Sequence, residues 1–405
     1  MDDFDKTIKQ ISGPINVVRL EGEINGVKKI VYLFMDWHED IHRQTECTNI
    51  FSKDINKYFV ESFIELNNMP KIYDFFMEVR PTDIKITEKK KKTKMIYLEE
   101  VLKLFTTAFS YESKKNKVYV PDVFKNVRLH YLDVRDYLKY HVMDSMYRVM
   151  DICNYMWHNN INNFLIVDTI NFLKQTKGQL NKTIYVLSSG KEPKEKNQLI
   201  KEYIGPEEQV ILGLAKKIKM VYNHKKVKDI LVSFYTIFLH DLIKISDNID
   251  EIIIKLENYE DYINNSYDKL IIDEKKRYWY GISTNILKKI TMDIFDMCND
   301  LFLDIIHVFA KITDLYCLRR LLDKDYITNA IIYSGALHSE TYIGILLSKF
   351  GFKITHTAYS LIENIDRLNK EVIERFNKNK DIFDLFARPF FYQCSDITHF
   401  PENFS

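Results

Sequence analysis

Cysteine is scarce in this sequence. The five present in 405 residues, Cys47, Cys153, Cys298, Cys317 and Cys394, are scattered, odd in number and form no C-x-x-C pair. That pattern points to reduced thiols in a cytosol-like compartment. Net charge is nearly absent too: 58 Lys and Arg against 57 Asp and Glu leave +1, so no whole-protein field draws the chain to nucleic acid or to a membrane. The chain opens MDDFDKTIKQ, without a charged-then-apolar leader. Its most apolar helical stretch, ILVSFYTIFLHDLI, is interrupted by His240 and Asp241 before it reaches bilayer-spanning length. No internal repeat of solenoid period occurs. These absences together describe an intracellular protein with no nucleic-acid and no membrane partner.

What is present belongs to a soluble globular protein: 46% hydrophobic and 28% charged residues, enough for one large core or two ordinary ones. The first fifty residues read as β structure, with two β-rich runs around the turn signal Asn25-Gly26. KKIVYLF ends almost continuously apolar, as a strand buried on both faces does. A helix is expected from Asp54 to Leu66, with Ile55, Phe59, Phe63 and Ile64 on one side, followed by the strand IYDFFMEV. The run EKKKKTK reads as a solvated loop, being short and without interleaved aromatics. The helix YLEEVLKLFTTAF then leads to the strand VRLHYLDVRDY.

From about 141 to 310 the periodicity is helical, and afterwards the sheet returns with the strand NAIIYSGALH, a helix stopped by Gly351, and the strand FKITHTAYS. The predicted fold class is therefore α/β: a mainly parallel sheet with an N-terminal hairpin and a large helical insertion or cap. Residues 1–140 and 311–405 form the two parts of the α/β core, and 141–310 the insertion.

Ligands of open α/β sheets sit outside the carboxyl ends of the strands. Four predicted strands here end in ionisable residues: Asp36, His38 and Glu39; Glu78 and Arg80; Asp133, Arg135 and Asp136; and His338 and Glu340. Singly, each histidine reads as structural and Glu78–Arg80 as a strand-end ion pair; jointly they read as a site. A neutral imidazole binds a divalent metal or acts as general base, a carboxylate activates water, and an arginine neutralises a developing oxyanion.

The string HEDIH, from His38 to His42, matches the zincin pattern H-E-x-x-H letter for letter. That chemistry needs both histidines on one helical face. Here His38 follows a strand directly, so His42 is expected to be dispensable, although Glu61 or Glu65 offers a third ligand to the zincin alternative. A calcineurin-like phosphoesterase, suggested by Asp36-Trp37-His38, lacks the later G-N-H-[DE] block.

Gly335-Ala336-Leu337-His338, with Met35-Asp36-Trp37-His38 as a variant first copy and Glu78 and Arg80 between them, resembles the superfamily of erythromycin esterases, Tiki and TraB proteins, and ChaN-like proteins. Those families pair two G-x-x-H motifs at strand ends. The strings also resemble those of uncharacterised giant-virus proteins, and the isoleucine-, lysine- and asparagine-rich usage is that of AT-rich genomes. The resemblance spans residues 15–140 and 310–360, and Met35 departs from the motif's glycine. It implies a hydrolase of esterase or peptidase type acting on a small-molecule or peptide substrate. His38, His338 and Glu39 are the candidate ligands of a divalent metal, and Glu78, Arg80, Asp133 and Arg135 the candidate catalytic groups. The alternative is a non-catalytic viral structural or host-interaction protein, located in the host cytoplasm or the virion.

Overall fold

The computed structural model describes residues 6–38, 47–80, 96–112, 117–158, 161–189, 206–272, 284–389 and 392–405. Glu39, His42 and the lysine run lie outside them. The chain divides into two compact units: Met1–Val134 with Asn223–Val227 and Tyr316–Ser405, and Arg135–Tyr222 with Lys228–Leu315.

The elements follow in the order β1 (Gln10–Ser12), β2 (Asn16–Ile24), β3 (Val27–Asp36), β4 (Lys53–Asp54), α1 (Ile55–Glu65), β5 (Tyr73–Met77), α2 (Tyr97–Ala108), β6 (Ser110–Glu112), β7 (Lys117–Tyr119) and β8 (Val127–Tyr131). Five long helices come next: α3 (Asp136–His158), α4 (Asn163–Ser189), α5 (Pro206–Met220), α6 (Lys225–Ile272) and α7 (Thr284–Leu322). The chain closes with β9 (Asn329–Gly335), α8 (Ala336–Phe350), β10 (Lys353–Thr357), α9 (Ile365–Asn377) and β11 (Cys394–Asp396).

The central sheet of the first unit has the order β10-β2-β3-β9-β5-β8. Asn25 and Gly26 take φ of 49° and 82°, the left-handed pair that a two-residue hairpin turn requires, so β2 must run antiparallel to β3. β10 then adds outside β2, again antiparallel. Four of the eight strand pairings among the described residues are antiparallel, and the expectation of a mainly parallel sheet is corrected to a mixed one. The parallel part is β3-β9-β5-β8, with β9 at its centre and buried along its whole length.

One face of this sheet carries an aromatic core of Phe34, Phe59, Phe63, Phe75 and Phe105 under α1 and α2. Phe75 and Phe105 stack at 4.4 Å. Ile64, expected on the buried side of α1, is 45% exposed, because the turn buries Ile55, Phe59 and Phe63 instead. At the strands' amino ends, Asp74 is fully buried and takes both Arg128 (2.8 and 2.9 Å) and His130 Nε2 (2.7 Å).

Cys47 and Cys394 form a disulfide across 347 residues, which overturns the expectation of uniformly reduced thiols. Spacing carried no sign of it: β11 returns to pair with β1, and this brings Cys394 beside the chain that enters β4. Cys153, Cys298 and Cys317 are buried and take part in no disulfide among the described residues.

The second unit is helical. Tyr235 donates to the Leu187 carbonyl at 2.9 Å, and Lys177–Asp250 and Lys174–Glu257 join α4 to α6. Among the described residues no helix is long and apolar enough to cross a membrane.

Candidate active site at the strand ends

Parallel pairing sets Asp36 opposite Gly335, and the Glu78 N–H donates to the Tyr333 carbonyl at 3.1 Å. The ends of β3, β9 and β5 thus stand side by side, with β9 in the middle. His38 and Glu78 come from strands two places apart, about 10 Å by ordinary strand spacing. They nevertheless meet, His38 Nε2 lying 3.3 Å from Glu78 Oε2. What lets them meet is the absence of a side chain at Gly335: a Cβ there would lie 2.8 Å from His38 Nε2 and 3.3 Å from Glu78 Oε2. Close approach at this turn is provided by Gly335 on the neighbouring strand, not by the position of Met35. Met35 itself is a fully buried strand residue.

Asp36 clamps His38. Its Oδ2 accepts the His38 backbone N–H at 3.0 Å and lies 2.7 Å from His38 Nδ1, while Oδ1 accepts the Tyr333 hydroxyl at 2.8 Å. The turn this creates puts His38 at φ +37°, a strained position for a residue with a Cβ. On the other side, Glu78 Oε2 accepts the Gly335 N–H at 2.7 Å, and Oε1 lies 3.2 Å from His338 Nε2. One carboxylate therefore serves two imidazoles and a backbone N–H. His338 stands on the first turn of α8 rather than at a strand end, since helix geometry begins at Ala336.

The electrostatics follow from these contacts. Burial pulls the His38 imidazole toward neutrality, but hydrogen bonds to Asp36 and Glu78, and their charges, outweigh it and push its pKa up to about 10. Burial would raise the Glu78 carboxyl; the charge and hydrogen bond of His338, then those of His38, hold it well below the usual carboxylate range. The His38 side chain remains 36% exposed, whereas Glu78 and His338 are buried at 5% and 8%.

The structure thus brings His38, Glu78 and His338 together. The Asp133 N–H donates to the Val79 carbonyl at 3.1 Å, and Arg80 is half-buried. Arg135 belongs to the helical unit, and Glu39 lies outside the described residues. Glu340, on α8, accepts the Ile382 N–H at 3.2 Å; burial, reinforced by Asp381 and Asp384, raises its pKa to about 7. The clamping role of Asp36 and the need for glycine at 335 were missed in the sequence, although the D-x-H spacing of Asp36 and His38 is the signal of an aspartate side chain accepting the backbone N–H two residues further on.

A metal would require neutral imidazoles with their lone pairs aimed at one point. Here each Nε2 faces a different oxygen of Glu78. Among the described residues no group of three His, Cys, Asp or Glu side chains is arranged to hold a metal ion.

Residues 9–405 match the model of a family of unknown function (DUF5847), and the chain belongs to that family. It is 40% identical to "Uncharacterized protein R706" of Acanthamoeba polyphaga mimivirus, over 99% of this chain and 98% of the relative. From the same virus, "Uncharacterized protein R160" is 35% identical over 99% of this chain and 98% of its own length. "Uncharacterized protein R161" is 34% identical over the full length of both. No solved structure matches. The family is not that of the erythromycin esterases, Tiki–TraB or ChaN-like proteins, so that resemblance is overturned. Two four-residue motifs at strand ends are too short to carry common descent; the likeness to giant-virus proteins is the part that stands.

Proposed function

We propose that, in this member of DUF5847, the strand-end cluster is the acid–base centre of a hydrolase of ester or peptide bonds. The observation that supports this most is His38, held between Asp36 at 2.7 Å and Glu78 at 3.3 Å yet 36% exposed. A charged imidazole at a sheet's carboxyl rim stabilises a developing oxyanion and donates a proton to the leaving group. Of its two hydrogen bonds, the one to Glu78 is the longer, 3.3 Å against 2.7 Å to Asp36, so Nε2–H is the proton that a substrate draws away.

Glu78 is buried with both oxygens engaged, which suits positioning better than water activation. It orients the His338 ring through Nε2, in the manner of a carboxylate–imidazole pair. The hydrolase reading needs no metal, and a divalent cation in this cluster would have to displace the His38 proton.

A second reading is a non-catalytic structural or host-interaction protein. It is favoured by the mutual satisfaction of Asp36, His38, Glu78 and His338, the pattern of a structural ion network.

The test is turnover of p-nitrophenyl acetate and butyrate and of a quenched peptide library by the intact protein between pH 5 and 10.5. The hydrolase reading expects turnover that falls as pH rises through about 10 and drops about 100-fold or more in His38→Gln. Turnover of no acyl substrate, or turnover indifferent to His38→Gln, overturns it in favour of the second reading.

A further inference from the structure

A separate cavity of about 310 Å³ opens in the first unit between α1, the β2–β3 hairpin and the last residues of the chain. None of its lining residues belongs to the strand-end cluster. Its walls are aromatic: Tyr32, Phe34, Tyr58, Phe400 and Phe404 all line it. Phe404 meets Tyr32 at 5.2 Å and 90°, and Tyr58 at 6.0 Å and 77°, so these rings stand as adjoining sides of a box. The wall from Ile397 to Phe404 follows directly on β11, which the Cys47–Cys394 disulfide fastens in place.

The charges at the rim do not cancel. Lys9 is paired with Glu402 at 2.9 Å, and Lys53 with Glu61 at 2.6 Å. Glu65, also lining the cavity and exposed, has no cationic partner among the described residues. The cavity lining is therefore left with one uncompensated negative charge beside its aromatic rings. Ring quadrupoles attract cations, and best those with a weakly hydrated, alkylated surface that can shed water. One of these rings already meets a cation, since the Arg19 guanidinium lies 5.7 Å from the Tyr32 centroid. An anion would meet Glu65 and the ring faces, and a purely apolar ligand would leave that carboxylate unused.

We propose that this cavity binds a small organic cation of the quaternary or alkylated ammonium class. Tyr58, Phe400 and Phe404 supply the walls, and Glu65 the counter-charge.

Calorimetric titration of the intact protein with choline and with its neutral isostere 3,3-dimethylbutan-1-ol, which replaces the ammonium nitrogen by carbon, separates charge from shape. Choline is expected to bind about tenfold more tightly than the isostere. Glu65→Gln, at an exposed position that burdens no core, and Tyr58→Leu are each expected to weaken choline about threefold or more. Thermal unfolding of each variant shows that it is folded. Equal affinity for the two ligands, no saturation by choline at tens of millimolar, or affinity unchanged in Glu65→Gln overturns the proposal.

Discussion

Glu78→Gln removes one charge from the point where two imidazoles and the Gly335 N–H converge. The amide keeps the shape but turns an NH2 toward a donor in either orientation, facing His338 on one side or His38 and Gly335 on the other. Breaking a buried ion pair costs about 3–5 kcal/mol. Because His38 is about one-third exposed, solvent screening reduces its share, and a loss of about 2–4 kcal/mol is expected near pH 6. The pH dependence has a definite sign. The folded pKa of His38 is raised from 6.5 to about 10, so its contribution is complete below 6.5 and is lost as pH rises through 10. That of Glu78 is depressed from 4.5, so its contribution is complete above 4.5 and is lost as pH falls through the folded value. The pair stabilises fully between about pH 4.5 and 6.5. Urea unfolding of wild type and Glu78→Gln at pH 6, 8 and 10, followed by near-ultraviolet circular dichroism, measures the difference. It should be largest at pH 6 and shrink toward pH 10. A difference below about 1 kcal/mol at pH 6 refutes the reasoning, as does one independent of pH.

Gly335→Ala places a methyl 2.8 Å from His38 Nε2, against a ring held by Asp36 and Glu78. We expect about 1–3 kcal/mol of destabilisation and loss of any turnover that depends on His38, with Ser339→Ala as a nearby control; wild-type behaviour in both stability and turnover contradicts the packing. The Cys47–Cys394 bridge closes a loop of 347 residues, so dithiothreitol or Cys394→Ser should lower stability by about 2–5 kcal/mol, visible as a lower unfolding temperature. An unchanged transition, with free thiols counted in the oxidised protein, would remove the disulfide from the account.

Much of the site was legible because parallel strands must end somewhere, and charged residues at those ends have few reasons to be there. His38 and Glu78 stand out in the sequence on that ground alone, whereas His338, expected at a strand end, stands on the first turn of α8. What could not be read was the pairing order. Nothing in KKIVYLF or NAIIYSG says that β9 lies between β3 and β5, and only that order makes Gly335 the floor on which His38 and Glu78 meet. The Asn25-Gly26 turn was readable from its chemistry, but its consequence, a strand running against its neighbours inside the sheet, depends on β10 arriving from more than three hundred residues away. The disulfide was hidden for the same reason: long-range pairing of β1 with β11 creates it. The superfamily resemblance failed because residue type at strand ends reports shared chemistry of position, which unrelated α/β chains acquire separately.

The account rests on His38 carrying its proton between Asp36 and Glu78. Nuclear magnetic resonance of the protein labelled with nitrogen-15 histidine, with His38→Gln to assign the signal, reads the protonation of both ring nitrogens directly. The account predicts a His38 imidazolium with both nitrogens protonated at pH 8 and a midpoint near 10. A neutral single tautomer at pH 8, titrating near the ordinary 6.5, would contradict it.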